Sequence, residues 1–389
     1  MSSDTREIAP GATIGIFGGG QLGRMTAMAA RSLGYHIVSL DPDPSCAARF
    51  VVDRVMTASF DDVGAAEALA KHCQVATIEI EKVATAALDA AARHVPVRPG
   101  SAVLHIIQNR VRQKQWLQKN GFPIAPFAEV TSAASATGAS AVLQEKRGFL
   151  KVSNGGYDGR GQERVSGATD VARGFAALGG HACVLEQAID LESELSVLVA
   201  RRPSGECAVY PPALNHHVDG ILHWSVMPGP LPEKAKKQAH DIALGIAQKL
   251  EVEGLLVVEF FWTTDHTLLV NELAPRPHNS FHTTEVACLT SQFEQNVRAV
   301  CNLPLGATDV TRPAAIVNLL GDAWTDGEPP FAHALALPGV RLHLYGKRQA
   351  RPGRKMGHLS ASGMTAEQAV ERVLRAERLL NSDRSVGPR

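Results

Sequence analysis

The sequence predicts a mixed protein, α/β over its first 120 residues and α+β beyond, divided into three domains. Short apolar runs alternate with helical periodicity up to Asn120, the pattern of a parallel sheet covered by helices. A proline-spaced segment, FPIAPF (122–127), then interrupts it, and strands separated by turn residues dominate the rest. At 389 residues the chain also exceeds the roughly 250–300 that one hydrophobic core organises. The expected boundaries are 1–120, 121–186 and 187–389.

In the first domain, strands are expected over Thr13 to Phe17, His36 to Leu40 and Val75 to Ile80. One helix runs from Gln21 to Leu33 and stops at Gly34. A second starts at an N-cap Asp61, and a long one extends from Ser101 to Asn120 with Gly121 behind it. The second domain reads as a small lid: an alanine-rich stretch, the strand FLKVS, a glycine-rich loop, a helix and the strand CVLEQAI. The third opens with ELSVLVA and ECAVY, followed by a helix over Pro232 to Leu250. A hairpin of LLVVEFFW and TLLVNEL comes next, then AAIVNLL, a basic turn RPGRKMGHLS and a final helix from Ala366 to Leu380.

Composition narrows the function. Lys and Arg together equal Asp and Glu at 39 each, so there is no concentrated basic face for a nucleic acid. No uninterrupted apolar run reaches the ~18 residues of a membrane span, and the first residues, MSSDTREIAPGAT, have no apolar signal core. The six cysteines form no C-x-x-C pair, which argues against a zinc site or a disulfide framework. A reduced cytoplasmic protein without membrane or nucleic-acid partners is expected.

Several motifs carry chemistry. GGGQLG places Gly18, Gly20 and Gly23 between a strand and a helix, with Asp41 ending the next strand. That is the spacing of a dinucleotide site, but also of other anion-binding loops or of a plain tight turn. Asn154 to Gln162 holds four glycines after a strand bearing Lys151, so backbone N–H groups, Lys151 and Arg160 can gather around phosphate. In the hairpin, a Thr264-Asp265 turn pairing Thr263 with His266 would put Glu259 diagonal to Glu272 on one sheet face, about 7–8 Å apart. Two acids inside apolar runs are costly to bury alone, and magnesium with nucleotide phosphates would balance them. LAPRPHNS follows, presenting Arg276, His278, Asn279 and Ser280 on a proline-stiffened loop. The turn RPGRKMGH offers Arg351, Arg354, Lys355 and His358 as a second phosphate cradle, a solvated basic turn being the alternative. No serine or cysteine nucleophile motif is present, which leaves phosphate activation as the expected chemistry.

Taken together, GQLGRM, NGGYDGRGQ, VLEQAIDLESELS, NELAPRPHNS and RPGRKMGHL run in one order from residue 14 to about 360 and resemble the 5-(carboxyamino)imidazole ribonucleotide synthases. The resemblance implies an ATP-grasp fold with an N-terminal Rossmann-like (pre-ATP-grasp) domain, a small lid and a C-terminal catalytic domain. It also implies a homodimer. The implied substrates are ATP with Mg2+, bicarbonate and aminoimidazole ribonucleotide, joined through carboxyphosphate in purine biosynthesis. On this resemblance Arg110, Lys151, Gly156, Tyr157, Asp158, Gly159, Arg160, Gly161, Gln162, Glu194, His217, Asn271 and Glu272 contact the nucleotide. Glu186, Gln187, Ala188 and Ile189 would form the hinge that reads adenine, and Glu259 and Glu272 would hold magnesium. Gly20, Gln21, Leu22, Arg276, His278, Asn279 and Lys355 would bind bicarbonate or the ribonucleotide. Arg276, His278, Lys355, Tyr157 and Asp158 would be catalytic. The alternatives are a formate-activating enzyme acting on glycinamide ribonucleotide, biotin carboxylase, a non-catalytic nucleotide sensor, or an NAD oxidoreductase that accounts for only the first 41 residues.

Overall fold

The computed structural model describes residues 5–155 and 161–381. Its first sheet has four parallel strands in the order Arg54–Thr57, His36–Asp41, Thr13–Phe17, Val75–Ile78. Helices cover both faces, so the inner strand TIGIF is apolar and buried from Ile14 onward. Two expectations shift here. The helix Val63–Ala70 is capped by Asp62 and not Asp61, its carboxylate accepting Ala65 N–H at 2.9 Å. The single helix from Ser101 to Asn120 is two, Ser101–Ile107 and Arg110–Lys119. Asn109 leaves the helical region (φ −119°, ψ 117°), and its side chain accepts the Arg112 N–H, so the break is a new N-cap.

The lid is a four-stranded antiparallel sheet, Phe127–Val130, Cys183–Gln187, Gly148–Val152, Gln162–Val165, with helices Ala133–Ala139 and Ala168–Ala177 packed over one core. FPIAPF is more than a linker: Val270 donates to the Pro123 carbonyl at 2.7 Å, which pins the segment to the hairpin of the large sheet.

That large sheet has nine strands. Its path runs Leu268–Ala274, Gly254–Thr263, Leu191–Arg201, Ala213–Val218, Ile221–Met227, Ala314–Leu320, Lys355–Ser362, Val340–Leu344, with Cys207–Val209 paired to Leu191–Arg201. Helix Glu233–Lys249 lays Ala235, Ala239, Ala243 and Ala247 against it; small residues four apart allow close approach. The last helix, Ala366–Asn381, covers the far end with Ala369, Val373 and Ala376. The basic turn is shorter than expected, because Lys355 to Ser362 is a strand and His358 is wholly buried. His358 therefore leaves the predicted phosphate cradle. Arg98, 1% exposed, bonds Glu253 and the Val300 carbonyl and locks the first domain onto the large sheet.

Candidate active site

The hairpin turns through three residues, not two. Thr263 N–H donates to the Thr267 carbonyl and Thr267 N–H to Thr263 Oγ1, with His266 at φ 60°. The register thus moves by one, and Phe260 faces Val270. A bulge then admits Asn271 as an extra residue, so Glu259 lies directly opposite Glu272 and not diagonal to it. Directly opposed residues have Cβ atoms about 4.5–5.5 Å apart, which brings the carboxylates closer than the sequence implied.

The two acids have different surroundings. His278 Nε2 lies 3.0 Å from Glu259. Burial opposes the Glu259 charge, but His278 foremost, then His217 and Lys355, hold its carboxyl down to about 2. Glu272 has Arg110 at 3.9 Å. Half its side-chain surface is reachable by water, yet it stands deep in the cleft; desolvation, with Glu259's charge added, outweighs Arg110 and pushes its carboxyl up.

Arg110, Gln113, Lys114, Lys151, Glu186, Asn271 and Glu272 line one cleft. Glu186 sits at its base between Lys114 (3.1 Å) and Lys151 (2.9 Å). Burial works against its charge, and the two lysines outweigh it, holding the carboxyl down to about 2. The hinge places Gln187 and Ala188 with their N–H groups already given to the Pro126 and Arg147 carbonyls. On the neighbouring strands Glu194 and His217 pair at 2.8 Å. Burial disfavours the His217 cation, but Glu194, then Glu259, raise its pKa. Gln162 begins the strand after the glycine-rich loop, with Gly161 just before it; Gly156, Tyr157, Asp158, Gly159 and Arg160 lie outside the described residues.

On the other side of the paired acids, Arg276 bridges to Glu81 at 2.8 Å, and Glu81 with Glu79 and Glu272 outweighs burial to raise its pKa. Asn279 accepts from Gln21 Nε2 at 2.7 Å, which joins the first glycine loop to the loop after the hairpin. Lys347 donates to Gln21 Oε1 (2.7 Å) and to the Lys355 carbonyl (2.6 Å). Lys355 thereby stands near both Gln21 and Glu259, although its sequence position suggested a separate cradle. Arg351 and Arg354 turn instead to Gln349.

The first glycine loop differs from the anion site its spacing suggested. Gly20 and Gly23 N–H donate to Glu79 (2.5 and 2.7 Å), and Gly19 N–H to Asp41 at 2.7 Å. A carboxylate of the chain itself occupies the helix N-terminus, where a phosphate would otherwise bind. Asp41 also accepts from Asp43 N–H, so it braces the loop and does not await a ribose. Leu22 packs with Met25, Phe293 and Tyr345, and its side chain belongs to the core.

Sequence reasoning missed Glu79, Glu81, Lys114 and Lys347. The first two had a signal: acids alternating just past the carboxyl end of a parallel strand, where such sheets open onto ligands. Behind the site, His282, His358 and His343 stack with centroids 4.4 and 4.7 Å apart, and Tyr345 Oη is 2.8 Å from His358 Nδ1. Glu285 joins His282 and His358 with ligand-type atoms within 4.8 Å. The two rings are 7° from parallel, however, so their in-plane lone pairs run side by side and do not converge on one ion.

Three family models match in sequence: a ribonucleotide synthetase preATP-grasp domain over residues 11–108, an ATP-grasp domain over 115–293 and a phosphoribosylaminoimidazole carboxylase C-terminal domain over 314–372. The N5-carboxyaminoimidazole ribonucleotide synthase of Brucella melitensis is 42% identical, covering 92% of this chain and 98% of that protein. The Bacillus subtilis enzyme of the same name is 39% identical over 94% and 95%. An ADP complex of an N5-carboxyaminoimidazole ribonucleotide synthetase superposes with a TM-score of 0.90 at 40% identity, covering 98% of this chain and 100% of that one. The Aspergillus clavatus enzyme, solved with ADP and 5-aminoimidazole ribonucleotide, gives 0.85 at 29%, over 95% and 98%. With three consecutive domain matches and relatives this similar end to end, the chain belongs to the N5-carboxyaminoimidazole ribonucleotide synthase family.

Proposed function

We propose that the chain is an ATP-dependent ligase that carboxylates 5-aminoimidazole ribonucleotide with bicarbonate, giving the N5-carboxyamino product, ADP and phosphate. The observation that carries this is the placement of Glu259 opposite Glu272, with Lys151 and Arg110 on one side and Arg276, His278 and Lys355 on the other. Such a line of alternating charge suits a phosphoryl group moving from one pocket to the next.

The donor set fits Mg2+: two carboxylates share a face, each with one neighbouring side chain (His278 beside Glu259, Arg110 beside Glu272) that a metal could displace. Bound there, magnesium would neutralise phosphate charge and polarise the phosphoryl oxygens. Arg110, Lys151 and Asn271 would hold the nucleotide phosphates, while Glu194, facing His217, would accept the ribose hydroxyls. Bicarbonate attacks the γ-phosphorus; the bond to ADP breaks and carboxyphosphate forms. Arg276 and His278 lie beside the acids and would hold its charge. Carboxyphosphate then separates into carbon dioxide and phosphate. The amine captures the carbon dioxide, forming the new C–N bond and losing a proton. Gln21, Asn279, Lys347 and Lys355 surround the position proposed for the ribonucleotide, and a closed site keeps water from the intermediate.

The same reading makes the enzyme a cytoplasmic homodimer. The compartment is supported by six cysteines that are all unpaired; the dimer rests on the family resemblance alone, and light scattering would test it. For the activity, ADP release with bicarbonate is measured against aminoimidazole ribonucleotide, glycinamide ribonucleotide and biotin in turn. Release driven by glycinamide ribonucleotide or biotin in place of aminoimidazole ribonucleotide would reject the assignment.

A further inference from the structure

The nucleotide cleft contains a charge arrangement that phosphate binding alone does not require. Glu186 is buried and shared by two lysines of unequal freedom. Lys151 is 19% exposed and lines the cleft beside Asn271 and Glu272. Lys114, on the helix Arg110–Lys119, is only 3% exposed and packed beneath. Glu186 Oε2 takes Lys151 and Oε1 takes Lys114, so each lysine has its own oxygen and one can leave without disturbing the other. Among the described residues, the other charged groups lining the cleft, Arg110 and Glu272, face each other at 3.9 Å; on its own sheet Glu186 is flanked in register by Phe127 and Phe149.

We propose that Lys114 is a positioning residue that keeps Glu186 charged and in place when Lys151 leaves it for a nucleotide phosphate, so that nucleotide binding needs no proton. The proposal rests on the nucleotide reading of this cleft. With Lys114 present, departure of Lys151 leaves a neutral buried pair. Without it, departure leaves a bare carboxylate in the interior, an expensive state that is relieved by protonation. Among the described residues, the bond to Lys151 is then the only one neutralising Glu186, and it competes directly with the phosphate for the same ammonium.

Calorimetric titration of MgADP in two buffers of different ionisation enthalpy counts the protons exchanged. Wild type and Lys114→Arg should bind with essentially no proton exchange near pH 7.5. Lys114→Met should bind more weakly and take up about one proton, with affinity falling about tenfold per pH unit as pH rises. Adding Glu186→Gln to Lys114→Met removes the acid and should restore proton-free binding, which also covers the case where the single variant folds poorly. Weakened but proton-free, pH-independent binding by Lys114→Met would overturn the proposal, as would unchanged affinity. Failure of the wild type to bind MgADP would reject the nucleotide reading itself, a separate outcome.

Discussion

Glu259→Gln and Glu272→Gln remove the same group from the two halves of one cross-strand pair, and the structure gives them opposite effects on the ligand-free protein. Glu259 is 18% exposed, with His278 at 3.0 Å, and its carboxyl lies at about 2 against an ordinary 4.5. At about 1.4 kcal/mol per pKa unit, this depression is worth up to about 3 kcal/mol. That figure is a ceiling, since His278 must carry its proton for the full pairing. A depressed acid stabilises above its unfolded pKa, so the contribution is complete above about pH 4.5 and is lost as pH falls toward 2. Glu272 is 49% exposed, faces Glu259 and has the Arg110 guanidinium at 3.9 Å. Neutralising it relieves a like-charge pair worth roughly 0.2–1 kcal/mol, so Glu272→Gln should be neutral or slightly stabilising. Thermal unfolding at pH 7.5 in EDTA measures both. Repeating it with MgADP at about 100 times its Kd should add roughly 2.7 kcal/mol to wild type and much less to either variant. Equal destabilisation of the two variants in EDTA, or an undiminished MgADP effect in either, would refute the charge assignment.

Burial, outweighing Arg341, pushes the Glu285 carboxyl up to about 7. A raised acid costs stability as pH climbs, so Glu285→Gln should gain on wild type between about pH 4.5 and 7 by up to ~3 kcal/mol; urea melts at pH 5 and 8 that show a constant gap would contradict this. Gly18→Ala should destabilise by at least about 1 kcal/mol, because φ is 108° and the new Cβ would collide with Glu79. Its denaturant midpoint is the check, and tolerance without loss would mean that Glu79 does not seat in the loop as described. Lys347→Met should raise the Michaelis constant for the ribonucleotide about 10- to 100-fold at little cost in kcat, as expected for a lost charged contact to phosphate. Lys355→Met should lower kcat as well, since its charge also bears on Glu259. Identical kinetic signatures for the two would show that Lys355 has no separate effect on the paired acids.

What the sequence determined by itself was local. Alternating apolar runs located the strand TIGIF, the helix after it and both arms of the hairpin, because side-chain period and turn residues are written in consecutive positions. The ordered motifs also pointed to residues that line one cleft, Arg110, Lys151 and Glu272, and to Glu259, which faces Glu272. The tertiary structure decided how these pieces meet. A three-residue turn and the bulge at Asn271 fix which carboxylate faces which, and a one-residue slip in either would reverse a sheet face with no change in hydrophobic pattern. GGGQLG has the same glycines whether its helix receives a phosphate or Glu79, a residue 59 positions from Gly20. Lys355 lies 96 positions beyond Glu259 yet acts on its charge, and Lys114 became a site residue only when its helix packed against the strand bearing Glu186. Those partnerships depend on burial and distance between remote segments, which residue spacing along one chain does not encode.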